Sequence, residues 1–236
     1  MRIDKLFSDM GLLSRRECAA AVRRGDIRVD GKAVKSASEH VDPEKQSVTL
    51  GGRPVLYRPF VYIMLNKPEG YVSATEDKKL PCVTELLSDR FRKMELFPVG
   101  RLDRDTVGLM ILTNDGQTAH ALLSPRRHVE KIYRFRAASP LSAGCEEKFA
   151  AGLAIDGYVC KPATLVCNPD RTGGDITLTE GKYHQIKRML EAVDNRITFL
   201  ERISFGGIPL DCTLARGEYR ELTEAETAAL FEKAQK

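Results

Sequence analysis

Asp103 and Asp105 stand two residues apart in the polar stretch Gly100-Arg101-Leu102-Asp103-Arg104-Asp105-Thr106, which runs almost directly into Leu109-Met110-Ile111-Leu112. Four consecutive apolar residues stopped by Asn114-Asp115-Gly116 read as a short buried strand that ends in a turn. A carboxylate just outside such a strand is held by a rigid element, as a reactive acid must be. An aspartate near a turn more often caps or shapes it; Asp115 ahead of Gly116 fits that role, and Asp105 is read as a loop former. Lys187, with Glu191 four residues on, reads by itself as a solvated helical lysine. Ile186, Met189, Leu190 and Val193 make the buried stripe of a helix, so Lys187 turns about one residue step away from the core and can reach a carboxylate at a sheet edge. An ionised carboxylate paired with an ammonium can act as nucleophile or base.

Strands and turns must hold these groups in place. Val61 to Leu65 reads as a buried strand and Asn66-Lys67-Pro68-Glu69-Gly70 as the turn after it. Lys131 to Ala137 alternates, which puts Tyr133 and Phe135 on one face; on its own Tyr133 reads as a core aromatic. Asp175 to Thr179 reads as a strand, Glu180-Gly181 as the turn before the Lys187 helix, and Ile197 to Phe205 as the final long strand.

The N-terminal residues are organised differently. Ile3, Leu6, Phe7 and Met10 repeat at helical spacing until Gly11, and Ser14-Arg15-Arg16-Glu17 is a capping box opening a second helix that Gly25 closes. Small Ala19, Ala20 and Ala21 let the two helices approach closely, and Ile27 to Val34 alternates around the hairpin turn Asp30-Gly31. Residues 1–35 hold nine Lys or Arg against five acids, a net +4, so the remaining residues balance to zero against the total of +4. Arg15, Arg16, Arg23 and Arg24 project from the second helix while Arg28 and Lys32 lie on the hairpin, a surface suited to tracking phosphates. Ser47 to Leu50 reads as a closing strand and Tyr57-Arg58-Pro59 as an extended linker, giving domains at 1–58 and 59–236.

Apolar residues form 42% and charged residues 30% of the 236, as in a globular chain, and no apolar run is long enough for a membrane span. The start, Met1-Arg2-Ile3-Asp4-Lys5-Leu6, lacks the apolar core of a signal peptide, so a cytoplasmic protein is expected. The six cysteines form no Cys-x-x-Cys pair and no two histidines share a ligand spacing, so no metal is expected.

The stretch Gly100 to Gly116 resembles, along its whole length, the G-R-L-D-x-x-T-x-G-L-L-L-L-T-N-D-G motif of the RsuA-type pseudouridine synthases. Leu65-Asn66-Lys67-Pro68-Glu69-Gly70-Tyr71-Val72, Lys131-Ile132-Tyr133 and Tyr183-His184-Gln185-Ile186-Lys187-Arg188-Met189 resemble further motifs of that family, in the same order. The first fifty or so residues resemble the S4 RNA-binding domain. Asp103-x-Asp105-Thr106 also looks like the opening motif of haloacid-dehalogenase-type phosphatases, but those place the acids after an apolar strand and here the order is reversed.

The resemblance implies an α+β chain: a small S4-like domain followed by a catalytic domain on a mixed, largely antiparallel sheet with flanking helices. It implies isomerisation of a specific uridine to pseudouridine in ribosomal RNA, with 16S rRNA in an assembling small subunit as the expected partner and no cofactor. The same chemistry on 23S rRNA is the alternative, and a non-catalytic S4-type assembly factor is a third reading. By the same resemblance Asp103 is the catalytic acid, Lys187 its partner and Tyr133 the residue against the target base. Arg101 takes the space the base vacates, while Arg15, Arg16, Arg23, Arg28 and Lys32 bind RNA. A monomer is expected.

Overall fold

The structure is a computed structural model describing residues 1–235. The chain divides into two compact units, Met1–Val61 with Leu87–Leu96, and Tyr62–Leu86 with Phe97–Lys236.

The first unit opens with α1 (Ile3–Asp9) and α2 (Arg15–Arg24). Ser14 accepts from the Glu17 backbone while the Glu17 carboxylate accepts from Ser14 N at 2.7 Å, so the capping box is formed in both directions. Next come β1 (Ile27–Val29), β2 (Lys32–Ala33), β3 (Val48–Leu50) and β4 (Arg53–Pro54), an antiparallel sheet in the order β2-β1-β3-β4. Asp30 and Gly31 both have positive φ, 49° and 77°, as the hairpin twist requires. Ile3, Leu6, Phe7 and Met10 form the core with Cys18, Ala21, Val22 and Ile27. The segment Leu87–Leu96, which carries α3 (Asp89–Arg92), packs in this unit: a Cβ on Gly11 would lie 2.3 Å from the Arg90 carbonyl.

The second unit is built on one sheet. Its strands are β5 (Tyr62–Lys67), β6 (Phe97–Pro98), β7 (Val107–Thr113), β8 (Lys131–Ala137), the small hairpin β9 (Ala154–Ile155) and β10 (Tyr158–Val159), β11 (Thr164–Cys167), β12 (Gly173–Leu178), β13 (Ile197–Phe205), β14 (Ile208–Pro209) and β15 (Tyr219–Glu221). Its α-helices are α4 (Gly116–Leu123), α5 (Cys145–Ala151), α6 (Gln185–Glu191) and α7 (Glu224–Gln235). Among the described residues the sheet runs β11-β12-β8-β13-β7-β5-β15, with β6 and β14 paired to β7 and β13. Only β13 against β7 is parallel, so the sheet is mixed and largely antiparallel. The central strands β5 and β7 are buried at every position, which explains their unbroken apolar runs. Tyr62, Met64, Leu109 and Ile111 pack with Ala119 and Leu122 of α4 and Leu230 of α7. Gly108 allows β7 and β13 to meet: its φ is +98°, and a Cβ there would lie 2.4 Å from the Arg202 carbonyl.

One local expectation is corrected. Asn66 and Lys67 belong to β5 rather than to a turn, because their polar groups find partners: Asn66 Nδ2 donates to the Leu214 carbonyl at 2.7 Å, and Lys67 Nζ to several loop carbonyls. Asn114-Asp115-Gly116 ends β7 as expected and leads into α4. Asp115 caps that helix through Thr118 N (3.0 Å) and accepts the Tyr62 hydroxyl (2.6 Å), which ties β5 to α4.

Candidate active site

The loop between β6 and β7 carries Arg101, Asp103 and Asp105, and a set of hydrogen bonds shapes it. Ser73 Oγ donates to the Leu102 carbonyl (2.8 Å) and accepts from Leu102 N (2.9 Å). Thr106 N donates to the Asp103 carbonyl (3.1 Å), and Gly70 N to the Arg104 carbonyl (2.9 Å). From the end of β5, fully buried Lys67 donates to the carbonyls of Asp103 (3.0 Å) and Thr106 (2.8 Å), with Arg104 and Pro68 slightly further away. Burial pushes the Lys67 amine down to about 8; the nearby acids Asp105, Asp103 and Glu69 pull it back up, and Arg202 adds to the lowering. Three loop carbonyls, with that of Pro68, converge on this one ammonium and hold the loop backbone.

Opposite them stands α6. Its buried residues are Gln185, Ile186, Met189 and Leu190, which leaves Lys187 at the surface of the helix that meets the loop. Lys187 Nζ lies 3.2 Å from Asp103 Oδ2, and 2.6 and 2.8 Å from the two oxygens of Asp105. The expectation of Asp105 as a loop former is therefore corrected: the lysine serves both acids and makes its shorter contacts with Asp105. Burial raises the Asp105 carboxyl, but the hydrogen bond and charge of Lys187 outweigh it and leave the group below its ordinary value. Burial likewise lowers the Lys187 amine, and the two carboxylates reverse this and raise it. His184, in the left-handed conformation at φ 51°, places Nε2 3.5 Å from Asp103 Oδ1 and stacks on Tyr183 at 3.9 Å.

Asp103, Lys187, His184 and Tyr183 line a cavity of about 710 Å³, within the range of small-molecule sites. Arg101, Asp103, Tyr133 and Lys187 all line it. Tyr133 is buried on β8, and Arg101 is exposed on the loop. Arg15, Arg16, Arg23, Arg28 and Lys32 lie elsewhere, on the first unit, all exposed and, among the described residues, in no ion pair. Lys67, Lys131 and Arg202 escaped sequence reasoning. The available signal was a charged residue inside or beside a strand, as Arg202 is within β13. No group of three or more metal-binding side chains occurs among the described residues, and no helix there is long and apolar enough to cross a membrane.

An ionised carboxylate steadied by an ammonium, beside an aromatic wall in a concave site, suits attack on or proton removal from a bound sugar or base. Comparison with known proteins agrees with that chemistry. Residues 61–192 match the RNA pseudouridylate synthase family and residues 1–47 the S4 domain. The chain is 48% identical to the uncharacterized RNA pseudouridine synthase YtzG of Bacillus subtilis, over 98% of this chain and 99% of that one. It is 40% identical to ribosomal small subunit pseudouridine synthase A of Escherichia coli, over 98% and 100%. A crystal structure of a pseudouridylate synthase superposes with a TM-score of 0.69 at 33% identity, covering 98% of this chain and 99% of that one. With an S4 domain ahead of a synthase domain, and relatives matched from end to end, the chain belongs to the RNA pseudouridylate synthase family, whose members are isomerases acting on RNA.

Proposed function

We propose that this chain isomerises one particular uridine of 16S rRNA, in an assembling small subunit, with Asp103 as the catalytic carboxylate. The observation that carries the catalytic assignment is the Asp103–Lys187 contact of 3.2 Å on the same cavity as Tyr133. The target uridine leaves its stack, at a cost of a few kcal/mol, and enters that cavity. Asp103 acts on the ribose, as nucleophile at C1′ or as base, while the N-glycosidic bond breaks. Tyr133 stacks on the ring and assists proton removal from C5 after the ring has turned and C5 has joined C1′. Arg101 fills the space left in the RNA. Lys187 supplies the positive charge that faces the Asp103 carboxylate as water is withdrawn. The exposed cations Arg15, Arg16, Arg23, Arg28 and Lys32 hold the RNA backbone.

The small-subunit assignment is supported by full-length relatives named ribosomal small subunit pseudouridine synthase A at 40% and 42% identity, from Escherichia coli and Yersinia pestis. On this reading the enzyme works in the cytoplasm as a monomer. Mapping pseudouridine in ribosomal RNA from cells lacking the protein tests it: one site should be lost from 16S rRNA. Loss confined to 23S rRNA would transfer the same chemistry to the large subunit, and no loss in either would remove rRNA as the substrate.

A further inference from the structure

Two cations on the cavity wall have no part in the pairings described above. Arg202 is 1% exposed and lines the cavity, as does Lys131. Arg202 Nε donates to the Leu109 carbonyl at 2.7 Å, and its Nη2 reaches only the Met110 sulfur at 3.9 Å. Lys131 Nζ donates to the Val129 carbonyl at 2.7 Å. Both side chains lie over the Phe205 ring, at 5.1 and 5.7 Å from its centroid. Among the described residues neither is in an ion pair. Burial pushes the Lys131 amine down to about 8, Arg202 lowers it further, and Glu180 pulls it up. Two like charges held together in a desolvated pocket are costly unless an anion completes the site.

Strand register says which part of the substrate meets them. Arg202 is the cross-strand partner of Tyr133 in β8, and Lys131 lies two residues before Tyr133 on the same strand face. A ring stacked on Tyr133 therefore has both cations along its edge. When the C1′–N1 bond breaks heterolytically the bonding pair stays with the ring and spreads over N1, O2 and O4. The sugar carbon either gains a bond to Asp103 or loses a neighbouring proton to it. Rejoining reverses this: C5 bonds to C1′, the C5 proton departs and N1 gains one, so the product is an isomer of the substrate.

We propose that Lys131 and Arg202 are catalytic residues that hold the detached uracil ring as an anion between cleavage and rejoining. The assignment rests on the function proposed above. It gives the pocket a preorganised positive edge placed where negative charge develops, the arrangement that contributes most in many active sites.

The test uses the full-length enzyme, 16S rRNA transcript and single-turnover kinetics. Lys131→Met should slow pseudouridine formation about 100-fold, by the usual cost of losing one such group, with RNA affinity within about threefold. Lys131→Arg should recover most of the rate. Arg202→Gln should behave like Lys131→Met; because Arg202 is buried, its folding is checked by thermal melting, and Lys131→Met carries the test if it fails to fold. Replacing the target uridine by 5-fluorouridine stabilises the ring anion. The deficit of Lys131→Met in consuming it should then shrink about tenfold. An equal deficit on both RNAs, or reduced RNA affinity with an unchanged rate constant, would overturn the anion site while leaving the synthase reading intact. A wild-type enzyme that modifies neither 16S nor 23S rRNA would instead overturn the proposed function, and the anion site with it.

Discussion

Replacing Lys187 by methionine removes an ammonium that bridges two carboxylates standing two residues apart. Its nitrogen lies 2.6 and 2.8 Å from the Asp105 oxygens and 3.2 Å from Asp103 Oδ2. A pair of unit charges about 3 Å apart is worth about 1.4 kcal/mol in bulk water and about 5 kcal/mol at an effective dielectric of about 20. The Asp105 side chain is 59% exposed and the Lys187 side chain 22%, so the first contact lies nearer the water limit. Desolvating the ammonium offsets part of the gain, leaving a net contribution to stability of about 1–2 kcal/mol. Lys187→Met should therefore cost about that much in urea unfolding, and should lower the rate of pseudouridine formation at least about 100-fold. Adding Asp105→Asn removes one of the two like charges left behind. The double variant should regain about 1 kcal/mol relative to simple addition of the single effects, because the residues touch. Independent, additive effects on stability would refute the shared-lysine account, and so would near-normal turnover in Lys187→Met.

Other outcomes follow from the same geometry. Neutralising Arg15, Arg16, Arg23 and Arg28 to glutamine should weaken RNA binding and flatten its salt dependence, by about 0.9 for each duplex phosphate that is no longer neutralised, read from binding constants across a salt series. Arg220 pairs Glu226 at 2.7 Å and holds its carboxyl down at about 2, below the ordinary 4.5. The stabilisation is thus present above about pH 4.5 and lost as pH falls toward 2, so Glu226→Gln should destabilise by about 2 kcal/mol at neutral pH and progressively less in acid, by urea titration. Gly108→Ala forces a Cβ to 2.4 Å from the Arg202 carbonyl at positive φ, and should cost more than about 2 kcal/mol in thermal or urea unfolding.

Local patterns make much of this fold legible from the order of its residues. The capping box at Ser14, the Asp30-Gly31 turn, the buried run of β7 and the apolar stripe of α6 are each decided by a few neighbouring residues, so each is readable from spacing. Features decided by distant partners are not. Lys67 looks like a turn residue until four carbonyls, from Pro68 and from residues 36 to 39 positions away, are found around its amine. Asp105 looks like a loop former until α6, 82 residues later, brings Lys187 against it. Residues 87–96 join the first unit through contacts distant in sequence, among them Lys93 Nζ at 4.0 Å from Glu17 Oε2, with no local signal for it. Arg202 interrupts β13 without apparent reason until its neighbours Tyr133, Lys131 and Phe205 are seen.

The central claim is that the Asp103 carboxylate performs the isomerisation, and the most direct measurement is pseudouridine formation on 16S rRNA by the wild type and Asp103→Asn, each with and without a metal chelator. The substitution keeps the shape and some hydrogen bonding of the side chain and removes its charge. Asp103→Asn should form no pseudouridine while binding the RNA within several-fold of the wild type, and the chelator should leave the wild-type rate unchanged. Activity surviving in Asp103→Asn, or wild-type activity vanishing with the chelator alone, would contradict this mechanism.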